Sequence, residues 1–184
     1  MIGKGSLSKA SVVWITGLSG AGKTTLAKQL ATVIRNQGEP CIVVDGDEVR
    51  ELFGEADDGD RNHGRSTRLK YAYGYGKLAR LIAGQGVTVV VSTISLVKEV
   101  HVWNRANLPR YIEVYLKVPL EELRRRDPKG IYRRFDAGEL VNVWGLDLPI
   151  DEPEAAEIVV AFDQHVTTEA TVDLIVELMR KKAS

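Results

Sequence analysis

A single doubly wound α/β domain, a parallel sheet with helices on both faces, is predicted from three features of this 184-residue chain. Short apolar runs recur at residues 12–15, 41–44 and 87–91, with a more mixed one at 111–118. A strand without polar alternation is one buried on both faces. Segments with helical spacing alternate with these runs, which is the order that builds β-α-β units. The first strand and first helix are joined by a glycine-rich loop, Gly17-Leu18-Ser19-Gly20-Ala21-Gly22-Lys23-Thr24. In such sheets ligand chemistry gathers at the C-terminal ends of the strands.

Taken in order, Leu26, Leu30 and Val33 are spaced four and three apart and predict a helix after that loop. Gln37-Gly38-Glu39-Pro40 stops it. Strand 41–44 delivers Asp45-Gly46-Asp47-Glu48-Val49-Arg50 to the ligand edge. Residues 55–65, rich in Asp and Gly, predict a loop. A long helix is expected from Ser66 or Thr67 to Ala83, with Leu69, Ala72, Gly76, Ala79 and Ala83 on one face. Gly74 and Gly76 are poor helix formers, unless a missing side chain lets a neighbour approach. Gly84-Gln85-Gly86 ends this helix, and strand 87–91 exits through the polar Ser92-Thr93-Ile94-Ser95. A helix over 97–108 closes at Pro109, strand 111–118 follows, and Pro119 starts a short charged helix ending at Asp127. Residues 127–153 are glycine-punctuated and weakly periodic, and a loop of that length in a compact domain reads as an active-site lid. A strand over 157–160 and a helix capped by Thr168 and running to Lys182 complete the chain. Residues 1–10 read as a loose lead-in with no apolar core of a secretory signal. With no repeat or linker, residues 1–184 form one domain.

Basic and acidic side chains balance at 25 each, which argues against bulk attraction to nucleic acid or membranes. The single Cys41 excludes an intrachain disulfide and fits a reducing compartment. No run approaches the roughly 18 apolar residues that a membrane span needs. These features read as a cytoplasmic protein. His63, His101 and His165 lack metal-ligand spacing and are expected to be solvated or locally bonded. Tyr71, Tyr73 and Tyr75 are expected to straddle the core and boundary faces of their helix.

Residues 17–24 fit G-x-x-x-x-G-K-[ST], a loop whose backbone N–H groups turn inward around a phosphate. The helix opening near Lys23 adds its positive dipole end. Lys23 is placed to reach the β- and γ-phosphates, and Thr24 to offer its hydroxyl to Mg²⁺, with Thr25 beside it. A plain strand-to-helix turn that binds nothing is the alternative. The Asn-Lys-x-Asp base-reading motif of GTP switches is absent, and a lid after an arginine run suits a small-molecule kinase, which must exclude water.

The ordered segments GLSGAGKTTLA, VDGDEVR, TIS, RDPKGIYRR, AGEL, GLD and EPEAAEI resemble the adenylylsulfate (APS) kinase family over nearly the whole chain. The resemblance implies the P-loop kinase fold with a lid, ATP and Mg²⁺ as cofactors, a small nucleotide as substrate and a homodimer. It also implies transfer of the ATP γ-phosphate to the 3′-hydroxyl of APS, giving PAPS for sulfate assimilation. Carried over motif by motif, it makes Asp47 the acceptor of the hydroxyl proton and Asp45 a support for the metal's waters. Arg50 anchors the acceptor's phosphate-like group, and Ile94 and Ser95 contact the acceptor. Arg126 and Lys129 close over the ATP phosphates. The alternative for Asp45-Gly46-Asp47 is an ordinary turn or helix cap. The alternative for Arg125 and Arg126 is surface pairs with Glu121 and Glu122, worth about 0.3–0.5 kcal/mol.

Departures concentrate on the acceptor side. Of the family's Asp-Arg-x-x-Asn-x-Arg-Arg, Arg68 retains the first arginine, while Tyr71, Tyr73 and Gly74 replace the later polar positions. No Phe lies between Phe53 and the long helix. Phe-Thr-Gly-Ile-Asp reads Val143-Trp144-Gly145-Leu146-Asp147, leaving Trp144 as a stand-in stacking surface. These segments resemble at least as much a divergent branch that phosphorylates cytidine diphosphoramidate in capsule synthesis. A non-catalytic nucleotide-binding subunit is the remaining alternative.

Overall fold

The computed structural model describes residues 10–53, 64–163 and 166–183. Its sheet has five parallel strands: β1 (Val12–Thr16), β2 (Cys41–Asp45), β3 (Thr88–Ser92), β4 (Ile112–Lys117) and β5 (Ile158–Ala161), in the order β2-β3-β1-β4-β5. The strand that carries the glycine loop is therefore central, and all five of its residues are buried.

Alternation along β1 divides the core in two. Val13 and Ile15 pack with α1 (Lys23–Asn36), through Leu26, Leu30 and Ile34, and with α7 (Thr168–Lys181), through Val172 and Ile175. Val12 and Trp14 face α3 (Arg65–Ala83) and α4 (Lys98–Asn107), through Ala72, Ala79 and Val100. Helices on both faces explain why these strands read as continuous apolar runs. The doubly wound α/β architecture is as the sequence predicts.

Two short helices were not predicted as such. Residues 46–52 form a helix, α2 (Gly46–Leu52), capped by Asp45, whose carboxylate accepts the Asp47 N–H at 2.9 Å. The short charged helix expected after β4 is present as α5 (Leu120–Arg126). Inside the expected structureless lid lies α6 (Ile131–Asp136). Asp127 caps it, its carboxylate accepting from the N–H groups of Tyr132 at 3.2 Å and Arg133 at 3.0 Å. The cap of α7 is Thr167, whose hydroxyl accepts from Ala170 N–H at 3.1 Å, and not Thr168. His101 is buried and bonded, its Nδ1 2.6 Å from Glu113 Oε1 on the strand that follows its helix. His63 and His165, the lead-in 1–9 and most of the loop 55–65 lie outside the described residues. Among the described residues no helix is long and apolar enough to cross a membrane.

The two glycines of α3 differ in kind. A Cβ on Gly76 would stand 2.7 Å from Trp103 Cζ3 and 2.9 Å from Asn104 Oδ1, so α4 crosses at a distance only glycine allows. Gly74 is exposed with nothing within 4 Å. Gly76→Ala is expected to cost about 1–3 kcal/mol by overpacking. Gly74→Ala is expected to gain about 0.5–1 kcal/mol from helix propensity. Urea denaturation of both variants checks the opposite signs.

Candidate active site

A cleft of about 540 Å³ opens at the C-terminal ends of β1, β2 and β3. The glycine loop forms one wall. Gly17, at φ 151°, leaves β1 so close to β4 that a Cβ would meet the Leu116 carbonyl oxygen at 2.8 Å. The first turn of α1 has no side-chain cap and no acidic residue, so its N–H groups are left for an anion. Ser19, Gly20, Gly22, Lys23, Thr24 and Thr25 line the cleft. Gly17, Leu18 and Ala21, grouped with them by the motif, do not line it. The Leu18 carbonyl accepts from Ala21 N–H at 3.2 Å, and the Leu18 side chain fills the space beneath Gly145.

Lys23 Nζ donates to the Leu18 carbonyl at 2.8 Å. Burial lowers its ammonium from 10.5 to about 8, against the attraction of Asp47 and Asp45 and with further lowering from Lys129 and Arg50. The Thr24 hydroxyl donates to Asp45 Oδ2 at 2.7 Å, bringing together the two residues expected near a metal. A hydroxyl and a carboxylate are hard oxygen donors of the type Mg²⁺ takes, and it binds few protein groups, keeping water and phosphate oxygens for the rest.

Asp47 faces Lys23 from α2. Its carboxylate pairs with Arg50 and with Lys129 of the lid. Burial pulls that carboxyl up, but the hydrogen bond from Lys129 and the charges of Lys129, Arg50 and Lys23 hold it below the usual range. Asp47 is therefore ionised at neutral pH. Arg50 also donates to the Tyr75 hydroxyl at 3.4 Å.

Ile94 and Ser95 line the same side, with the Ser95 hydroxyl 3.1 Å from that of Thr93. Arg68 donates to the Asn142 carbonyl at 2.9 Å, and its guanidinium lies 5.6 Å from the Trp144 ring centroid. Asp147 holds this turn by accepting the N–H groups of Asn142 and Val143, each at 2.6 Å. Trp144 lines the cleft, is 5% exposed and carries Arg68 on its ring.

The lid rests on the loop. Tyr132, buried, donates its hydroxyl to the Ser19 carbonyl at 2.9 Å. Lys129 and Arg134 line the cleft from the lid, but Arg126 does not. Arg126 Nε donates to Glu122 Oε1 at 2.7 Å, and its guanidinium lies 5.1 Å from the Phe162 ring centroid. In this arrangement a carboxylate one helical turn away claims Arg126, which is the surface-pair alternative. Arg126→Ala is accordingly expected to lower turnover by less than about tenfold, against the 10³-fold or more of a transition-state arginine. Steady-state kinetics at saturating nucleotide decides between them.

Lining residues to which the sequence reading gave no site role include Tyr71, Tyr75 and Arg134. One signal was available, because Tyr71 and Tyr75 follow Arg68 by three and seven residues and so share its helical face. Arg134 had none beyond its place in the lid.

The family profile described as adenylylsulphate kinase matches residues 9–161. A cytidine diphosphoramidate kinase of Campylobacter jejuni is 35% identical over 166 residues, 90% of this chain and 94% of that protein. An adenylyl-sulfate kinase of Chloroflexus aurantiacus is 42% identical over 142 residues, 77% of this chain and 74% of that protein. The Mycobacterium tuberculosis APS kinase, solved in complex with AMPPNP and APS, superposes with a TM-score of 0.83 at 27% identity, over 94% of this chain and 98% of that one.

Proposed function

Because the chain belongs to the adenylylsulphate kinase family, we propose that it transfers the γ-phosphate of ATP to the ribose 3′-hydroxyl of APS, releasing PAPS and ADP. It is a kinase acting on a hydroxyl group. The observation that carries the proposal is one cleft holding Lys23 on the phosphate loop opposite the ionised, doubly paired Asp47.

In the mechanism, the loop N–H groups and Lys23 bind the β- and γ-phosphates and neutralise charge as it develops. Thr24 and Asp45 would hold Mg²⁺, which supplies further charge neutralisation when bound. Asp47 takes the proton of the 3′-hydroxyl as its oxygen bonds to the γ-phosphorus and the bond to the β,γ-bridging oxygen breaks. Arg50 and Arg68 anchor the acceptor's phosphosulfate group, and Ile94 and Ser95 contact its ribose side. Lys129 is the lid cation that moves from Asp47 onto the incoming phosphates. Cytoplasmic location and a homodimer belong to the same proposal, the latter checked by light scattering.

A second reading, cytidine diphosphoramidate as acceptor, is favoured by the near end-to-end match to the Campylobacter enzyme. Incubating the protein with Mg-ATP and each acceptor, then measuring ADP release and product mass, decides between them. ATP binding without turnover of either acceptor removes both and leaves the non-catalytic reading.

The depressed Lys23 gives a pH signature. Phosphate binding needs the ammonium, and the ligand-free protein loses that proton as pH rises through about 8. The ATP Kd is expected to be flat below pH 8 and to rise by up to about tenfold per unit above it. Calorimetric titration of ATP from pH 7 to 9 measures the slope.

A further inference from the structure

We propose that Tyr75 is a positioning residue for the transfer, fixing Asp47 in place through a backbone and a side-chain route at once; the inference rests on the acceptor-activating role of Asp47. Tyr75 belongs to α3, 28 residues beyond Asp47 in sequence, and is 3% exposed. Its hydroxyl donates to the Gly46 carbonyl at 3.1 Å. That carbonyl and the Asp47 N–H are the two ends of one peptide unit, and the N–H is itself held by Asp45 Oδ1 at 2.9 Å. The peptide plane that aims Asp47 is thus bonded at both edges, and neither edge can swing without breaking a bond.

The second route runs through the side chain. Arg50 donates one nitrogen to the Tyr75 hydroxyl at 3.4 Å and pairs the other with the Asp47 carboxylate. A guanidinium held at two points presents its fork in one orientation, which limits where the carboxylate can sit. Close packing keeps the phenol in register. A Cβ on Gly46 would meet Tyr75 Cε2 at 3.3 Å and the Thr93 hydroxyl at 3.1 Å, and the Tyr71 ring stacks on Tyr75 at 6.5 Å. A buried hydroxyl is costly without partners, and here its bonds to Gly46 and Arg50 end on the segment that carries the acting carboxylate.

Tyr75→Phe removes the hydroxyl and keeps the ring. The expected result is a fall in kcat on the order of tenfold with the KM for ATP unchanged. In an Asp47→Asn background the same change is expected to have no further effect, because the carboxylate it aims is gone. Amide hydrogen exchange in the ligand-free protein gives a readout that needs no acceptor: the Asp47 amide should exchange faster in Tyr75→Phe, while the amides of β1 and β3 keep their wild-type rates. Exchange accelerated equally across the sheet, or an unaltered Asp47 amide, overturns the inference, as does a loss that adds in full to that of Asp47→Asn. If the wild-type protein phosphorylates no nucleotide, the proposed function fails, and the exchange experiment still decides whether Tyr75 holds the Asp47 peptide.

Discussion

Lys23→Ala is expected to abolish phosphate transfer, a loss on the order of 10³-fold or more in kcat/KM, while leaving the protein folded. The ammonium is the only loop side chain that can follow negative charge onto the β,γ-bridge, and its low-dielectric setting makes each of its contacts count for more than in water. That setting also makes Lys23 a burden to the ligand-free protein. Its folded value of about 8 lies below the unfolded 10.5, so between those pH values the unfolded chain binds more protons and stability rises with pH. Below pH 8 the penalty is at its full size. Lys23→Met should therefore melt no lower than wild type at pH 7 while losing activity. Near-normal turnover in either variant removes the phosphate-loop assignment, and a large drop in melting temperature would show that Lys23 serves the fold instead.

Asp47→Asn is expected to lower kcat by about 10²–10⁴-fold, the range of a general base, with a much smaller change in ATP affinity. The amide keeps the shape but cannot take the hydroxyl proton, and it leaves Arg50 and Lys129 facing a neutral group. Arg50 and Lys129 without their anion should hold the anionic groups of acceptor and ATP no less tightly, so the effect falls on turnover. Single-turnover measurements with saturating acceptor separate chemistry from binding, and an unchanged rate would discard the base.

The layers of the fold were legible because their signal is local. Residues 12–15, 41–44 and 87–91 lack polar alternation, which follows directly from helices on both faces. The phosphate loop was legible for the same reason, since its glycines, Lys23 and Thr24 are contiguous. What failed was decided by contacts distant in sequence or by competition. The six residues of α6 are too few for a periodic signal, and the helix stands on the Asp127 carboxylate and on Tyr132 reaching back to Ser19. Arg126 illustrates competition: both its partner Glu122 and a role over the phosphates were readable, but only geometry shows which anion it takes. The Tyr75 hydroxyl was invisible because a tyrosine on an amphipathic helix normally reads as core.

The central place of β1 has a consequence for how the two halves of the site can change. Its amides are paired on both sides, and none of its residues reaches solvent, so they open to exchange only when the sheet comes apart. The phosphate cradle springs from the most cooperative unit of the domain. Residues 64–70 at the start of α3, none of them fully buried, belong to a smaller unit expected to open at lower cost. Substitutions there can retune which nucleotide is accepted while the grip on ATP stays unaltered. Donor recognition is thus tied to global stability, and acceptor recognition is free to drift.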